Sequence, residues 1–373
     1  METKDKPKLL ILAQLPPPVH GVSVMSQAVV ASGILRNNFE ICVLPIQFAT
    51  ALQDVGRNNS RKLLKLWVVT IKLVYQCLVF RPDLVYFTLV PTGIPFYRDT
   101  MLLTLIRWLG IKPILHLHGI GIRQESHKGI NRFLYRWVFH DVDVIHLSPL
   151  LYYDIENHVP KERCHFLANG IRSEVQHPRK KAHQALTKGP VRLLFLSNIM
   201  EEKGPLDFIA ALGILKARGI HFHGTMAGAI YSETCYHQLS ALAKSLNLGD
   251  AFHFVGPQFG DEKEALFGNA DIFVFPTHRD SFPLVLLEAM AHSLPIVASS
   301  EGAIPEIIAD GVTGILFPKK NIEKMAQILE SLIIDSDART KMGKLGEERF
   351  ANHFTLEIFE TNLTRILVSC CQS

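Results

Sequence analysis

Short apolar runs with little polar alternation recur along this chain, and they leave it few folds to choose from. A strand covered on one face alternates apolar and polar residues; one buried on both faces, as in a parallel sheet, is apolar throughout. The first series is Lys8–Gln14, Ile41–Ile46, Leu84–Leu89, Pro113–His118, Val142–Leu147 and Cys164–Leu167. Helical patterns fall between them, for example Val22–Ser32, Phe96–Leu109 and Ile130–His140. The polar stretch Arg172–Pro190 interrupts the series, and it restarts with Val191–Ser197, His221–Ala227, Ala251–Val255, Asp271–Phe275, Pro295–Ala298 and Gly314–Phe317. Both halves open alike, LLILAQLPPPVHG and LLFLSNIMEEKG: a strand, a turn with a glycine, a helix. Two successive α/β domains follow, each a doubly wound parallel sheet. The expected boundaries are 1–175, a linker at 176–190, a second domain at 191–352, and a C-terminal helix at 353–373 that packs back on the first domain. Ligands of such sheets bind at the carboxyl ends of the strands, which predicts a cleft between the domains.

Charge is uneven. Residues 1–180 hold 22 Lys and Arg against 13 Asp and Glu; the rest hold 17 against 22. The basic half suits an anionic membrane surface or a phosphorylated substrate. No Lys/Arg-rich run with interleaved aromatics points to nucleic acid. The six cysteines show neither CxxC spacing nor a disulfide framework, so a reducing, cytoplasmic setting is expected. Leu9–Leu15 is too short for a signal peptide and reads as a buried strand. Arg61–Phe80 (RKLLKLWVVTIKLVYQCLVF) approaches the length of a bilayer span, but Lys65 and Lys72 lie inside it. It reads as a basic amphipathic helix, either a crossover helix in the core or one lying on the inner face of a membrane.

Chemistry concentrates after the strand Asp271–Phe275. Asp280-Ser-Phe-Pro-Leu-Val-Leu-Leu-Glu288 starts a helix, with Pro283 suited to its first position and Ser281 or Phe282 to its cap. The amides of Leu284 and Val285 would then stand free at a helix N-terminus, where anions bind. Glu288 is a lone carboxylate in an apolar helix and needs a partner, which vicinal ribose hydroxyls would supply.

This Asp-x7-Glu segment, followed by AMAHSLPIVAS and EGAIPEIIADGVTGILF, resembles the E-x7-E signature of the retaining glycosyltransferases of family 4, which have the GT-B fold of two Rossmann-like domains. The block Leu194–Leu212 (LFLSNIMEEKGPLDFIAAL) resembles that family's second donor element, roughly G-R-x4-K-G. Lys203 fills the Lys slot, while Asn198 stands where Arg is expected; Arg279 is a candidate to compensate. In the first half, Gly21 remains of the family's glycine-rich loop, flanked by His20. His116-Leu-His118-Gly119 places His118 in the family's H-G slot beside the donor sugar. A metal held by His116 and His118 is the rival, and it lacks a third ligand nearby in sequence. His140, His146, His221 and His223 read as ordinary core or surface residues. Asn169-Gly170-Ile171 resembles the turn that closes the first domain.

The resemblance implies transfer of a sugar from a nucleotide-diphosphate donor to an acceptor hydroxyl, with retention and without metal or cofactor. The second domain would hold the donor and the first the acceptor. His118, Asp280 and Lys203 would be catalytic. Gly21, Asn198, Lys203, Ser281, Phe282, Leu284, Val285 and Glu288 would bind the donor. The basic first half suits a glycan or polyprenyl-diphosphate-linked acceptor, as in bacterial capsule or O-antigen synthesis. A GT-B sugar-nucleotide epimerase, and a non-catalytic nucleotide-sugar-binding protein with a decayed site, are the alternatives.

Overall fold

A computed structural model describes residues 6–47, 60–172 and 189–372 of the 373-residue chain. Most of the linker expected at 176–190 therefore lies outside the described residues. The chain divides into two compact units, one of Met1–Gly170 with Leu356–Ser373 and one of Ile171–Thr355. The last helix, Leu356–Gln372, thus belongs with the first unit, where Lys112 Nζ donates to the Cys370 carbonyl at 3.0 Å.

The first unit holds six parallel strands: β1 (Lys8–Ala13), β2 (Glu40–Pro45), β3 (Leu84–Leu89), β4 (Lys112–Leu117), β5 (Asp143–His146) and β6 (Cys164–Phe166). Their order is β2-β1-β3-β4-β5-β6. The chain starts in the middle, steps out to β2 and returns past β1 to β3. Right-handed crossovers therefore put the helix Gly21–Ala31 on one face and the helices Ser60–Val79, Gly93–Trp108 and Gly129–Phe139 on the other. Leu9 to Ala13 are fully buried, as a strand sandwiched between two helical layers must be. Each buried Leu or Ile of such a strand contributes about 1.5–3 kcal/mol.

The second unit repeats the plan with β7 (Val191–Leu196), β8 (Phe222–Ala227), β9 (Phe252–Phe254), β10 (Ile272–Phe275), β11 (Ile296–Ser299) and β12 (Gly314–Phe317). The order is β12-β11-β10-β7-β8-β9, again parallel. The winding reverses between β7 and β10, and ligands of such sheets bind outside the carboxyl ends of the strands at that point.

All twelve strands lie within one residue of the boundaries expected from sequence. The helix expected from Phe96 instead begins at Gly93, with Pro95 in its first turn. Proline is tolerated there because its missing N–H would have no partner in that turn anyway.

Candidate functional site

The loop after β7 and the loop after β10 are packed backbone on backbone. Gly204, in the left-handed region (φ +70°), makes this possible: a Cβ there would lie 2.0 Å from the Pro276 carbonyl oxygen. The Glu202 carbonyl accepts from the amides of His278 (2.8 Å) and Arg279 (3.2 Å) and from the Thr277 hydroxyl (3.0 Å). This close seam brings Lys203 onto the far loop, where Nζ donates to Asp280 Oδ2 at 2.6 Å and to the Arg279 carbonyl at 3.2 Å. Asp280 is fixed from its other side by Gly302 (φ +54°), where a Cβ would come within 1.9 Å of the Asp280 carbonyl oxygen. Ala303 N donates to the Ser281 carbonyl at 3.0 Å. The EGA of Glu301–Ala303 is thus the backbone cradle of Asp280 and Ser281.

The helix expected here begins one residue later than the sequence suggests. Pro283 takes extended backbone (φ −72°, ψ 114°) and is itself the cap residue, and the helix runs Leu284–Ala291. Neither Ser281 nor Phe282 caps it with a side chain. Among the described residues no acceptor takes the amides of Leu284 and Val285. Phe282 is buried, with its ring 6.2 Å edge-on from Phe354, so only its backbone is available to a ligand.

Glu288 is not a lone carboxylate. Its partner lies within the chain: Lys263 Nζ, on the helix Gly260–Asn269, donates to Glu288 Oε1 at 2.7 Å. Both side chains remain about one-quarter exposed. No spacing rule joins positions so far apart; only the arrangement of two helices around β10 does. Asn198 is half-buried in the loop after β7, held by Ser197 N to Ala227 O (3.0 Å) and Ile199 N to Ala229 O (2.8 Å). The guanidinium of Arg279, the candidate replacement for the missing Arg, stands 3.8 Å from Glu202 Oε1.

In the first unit, Gly21 opens the helix that follows β1 and His118 directly follows β4. His20 caps the helix Gly21–Ala31 reciprocally with Ser23: Ser23 N donates to His20 Nδ1 at 3.4 Å, and His20 N to Ser23 Oγ at 3.0 Å. His116 and His118 leave β4 on one side, their rings 4.0 Å apart. Strand register sets Leu117 of β4 opposite His146 of β5, a residue that showed no functional context in sequence. Tyr86 Oη lies 2.6 Å from His116 Nδ1. Burial pushes the Tyr86 phenol far up, so it stays protonated beside His116 Nδ1. Leu147 N donates to His146 Nδ1 at 2.9 Å, which leaves the proton of the neutral His146 ring on Nε2. The Nε2 atoms of His116, His118 and His146 are buried without a partner among the described residues.

Burial, reinforced by the neighbouring imidazoles His146 and His20, holds His118 down at about 3. Burial alone holds His146 at about 4 and lowers His20, while His116, also pressed by His118 and His146, lies well below the ordinary value. These rings are neutral at pH 7 and present N–H groups that seek an acceptor. Metal-ligating atoms gather elsewhere in this unit: among the described residues, donors of Asp143, His165 and Cys370 lie within 4.8 Å of one another. Lys112 Nζ stands 3.7 Å from Asp143 Oδ2, where its charge opposes a cation.

Residues 176–349 match the family model described as glycosyl transferases group 1, which falls almost wholly on the second unit. The chain is 32% identical over 169 residues to the D-inositol 3-phosphate glycosyltransferase of Arthrobacter sp. (strain FB24), covering 45% of this chain and 40% of that protein. It is 24% identical over 286 residues to the capsular polysaccharide biosynthesis glycosyltransferase CapM of Staphylococcus aureus, covering 72% and 73%. The chain spans about two-fifths of the length of the D-inositol 3-phosphate glycosyltransferases it matches. Its fold is that of Anabaena Alr3699/HepE crystallised with UDP-glucose: TM-score 0.74 and 19% identity over 97% of this chain and 99% of that one. The architecture is therefore GT-B, two doubly wound α/β units.

Proposed function

We propose that the chain is a retaining glycosyltransferase of family 4 that takes its sugar from a nucleotide diphosphate. The observation that carries this reading is the cation and free amides gathered where the winding of the second sheet reverses. Lys203 Nζ and the unpartnered amides of Leu284 and Val285 belong to loops that a single backbone seam holds together. Such a group suits a diphosphate, whose charge grows as the sugar departs. Glu288 exchanges Lys263 for the ribose hydroxyls. Asp280 holds a sugar hydroxyl, and Asn198, Ser281 and the backbone of Phe282 line the donor. Gly21 permits close backbone approach in the first unit. His118 offers an uncharged N–H to the sugar, with the His116 ring beside it.

No carboxylate is arranged as a covalent nucleophile in this reading. The leaving phosphate takes the acceptor proton on the same face, which gives retention. No metal or cofactor is needed, because Lys203 and the amides supply the positive potential. The acceptor is a glycan or lipid-diphosphate-linked sugar of a surface polysaccharide, made on the cytoplasmic side; the name of the CapM relative and the basic first half support this.

A panel of UDP-, GDP-, dTDP- and CMP-sugars tested for protection against thermal unfolding examines the proposal. Protection by one nucleotide class with sugar transfer to a polyprenyl-linked acceptor is expected. Protection without transfer or hydrolysis would favour a binding protein. Isomerised sugar nucleotide without an acceptor would favour an epimerase. Absence of protection by all four would end the reading.

A further inference from the structure

We infer that the outer face of the three helices Ser60–Val79, Gly93–Trp108 and Gly129–Phe139 docks on an anionic lipid surface. The inference stands whether or not the chain transfers sugar.

The helix Ser60–Val79 is apolar on two sides. Val69, Leu73 and Cys77 are buried against the first sheet. Leu64, Trp67, Ile71, Tyr75 and Leu78 are exposed. At 3.6 residues per turn these five fall in a stripe roughly 80° wide, nearly opposite the buried one. Packing against the sheet therefore does not explain them. Lys65 and Lys72 are exposed along one edge of the stripe, where long side chains keep their charge in water while their stems cover apolar surface.

The same i, i+3, i+7 spacing of exposed apolar residues recurs in the neighbouring helices. It reads Ile94, Tyr97 and Met101 in one, with Trp108 one turn past the next repeat, and Ile130, Phe133 and Trp137 in the other. These two neighbouring helices are locked side by side. Trp137 Nε1 donates to Thr104 Oγ1 at 3.1 Å, Tyr97 Oη donates to Asn131 Oδ1 at 2.7 Å, and Arg107 lies over the Trp137 ring at 5.3 Å. All three tryptophans of the chain are on this layer, with Trp67 68% and Trp108 77% exposed. Contiguous apolar surface of this kind is rare on a face left to water. Exposed Trp and Tyr are the residues that settle at a bilayer interface.

Charge selects the occupant. Among the described side chains these helices expose Lys65, Lys72, Arg132 and Arg136, and the only acidic residue in their sequence is Asp99. Asp99 is buried and accepts from Arg98 Nε at 2.7 Å and from Val90 N at 3.0 Å, so it offers nothing outward. A second copy of the same face would bring like charges together, whereas anionic headgroups neutralise them. Among the described residues no helix is long and apolar enough to cross a membrane, so the helices lie in the interface.

Because every tryptophan lies on this layer, intrinsic emission reports on it directly. The full chain is titrated with vesicles of phosphatidylcholine and phosphatidylglycerol while emission and sedimentation are followed. A blue shift that saturates with lipid is expected. Exchanging Lys65 and Lys72 for Gln should weaken partitioning roughly 30-fold at low salt, at about 1 kcal/mol per lysine. Ile71→Ser with Phe133→Ser, both exposed, should weaken it at least tenfold while leaving the circular dichroism and melting temperature unchanged. Equal partitioning onto pure phosphatidylcholine would overturn the anionic assignment. No shift and no sedimentation with any vesicle would overturn docking altogether. A lipid-independent blue shift that grows with protein concentration, with doubled mass, would assign the face to a second copy instead.

Discussion

The carboxyl ends of the two sheets share a topology and differ in electrostatics. In the first unit the strand ends carry His116, His118 and His146, neutral and buried, with Nε2 atoms that have no partner among the described residues. In the second the loops carry Lys203 with Asp280 and the helices that follow carry Lys263 with Glu288, charged pairs that water still reaches. One fold plan thus supplies an uncharged hydrogen-bonding surface and a charged one. The difference comes from the residues at the strand exits, since the strands themselves are equally apolar. Function in such folds resides in these exits.

The largest expected effect lies on the charged side. Lys203→Ala should lower turnover at saturating donor by roughly 10²–10³-fold, the scale of removing one donor to a developing oxyanion. Steady-state transfer rates against sugar nucleotide check it; an unchanged maximal rate would remove Lys203 from the leaving-group site.

The neutral side should reveal itself in acid. Burial lowers the imidazole pKa values in the folded chain, so below about 6.5 the unfolded chain binds more protons. Stability should therefore fall as pH drops from about 6.5, continuing until the folded-state values of about 4 for His146 and about 3 for His118 are passed. The slope is up to about 1.4 kcal/mol per pH unit for each ring. Denaturant midpoints across this range measure it, with hydrogen exchange locating the early opening in the first unit. His118→Asn should flatten the slope; an identical slope would mean the ring is solvated.

Lys263→Ala should act modestly and with the opposite sign. Freeing Glu288 from an ion pair worth no more than about 1 kcal/mol should tighten nucleotide binding by at most roughly fivefold. Weaker binding in this variant would mean that Lys263 itself contacts the nucleotide. Asn198→Arg should change affinity least, within about threefold at fixed ionic strength, if the site manages without a second cation. A gain of tenfold or more, on the scale of one charge-assisted hydrogen bond of about 1.5–3 kcal/mol, would show a site weakened by the missing Arg.

Much of this was legible in the sequence because both-face burial writes itself as unbroken apolar runs. Every strand end fell within one residue, and the loops bearing Lys203 and Asp280 could be placed at the exits of β7 and β10. What escaped depends on tertiary register. His146 bears electrostatically on His116 and His118 only because β5 lies beside β4, and Lys263 meets Glu288 only through the packing of two helices. Pro283 could stand either at the cap or in the first turn, since its missing N–H suits both, and its extended backbone makes it the cap. The outward stripe of the helix Ser60–Val79 was visible as amphipathicity; which side faced the sheet was not, because both sides are apolar.

Titration calorimetry of UDP and GDP against the wild-type chain and Glu288→Ala, at fixed ionic strength, goes straight to whether the charged end of the second unit is a nucleotide site. One of the two nucleotides should bind the wild type, and the variant should bind it roughly 10- to 150-fold more weakly, the loss of a charged hydrogen bond of about 1.5–3 kcal/mol. Equal affinities would remove Glu288 from the site, and absence of binding by the wild type would remove the nucleotide from the second unit.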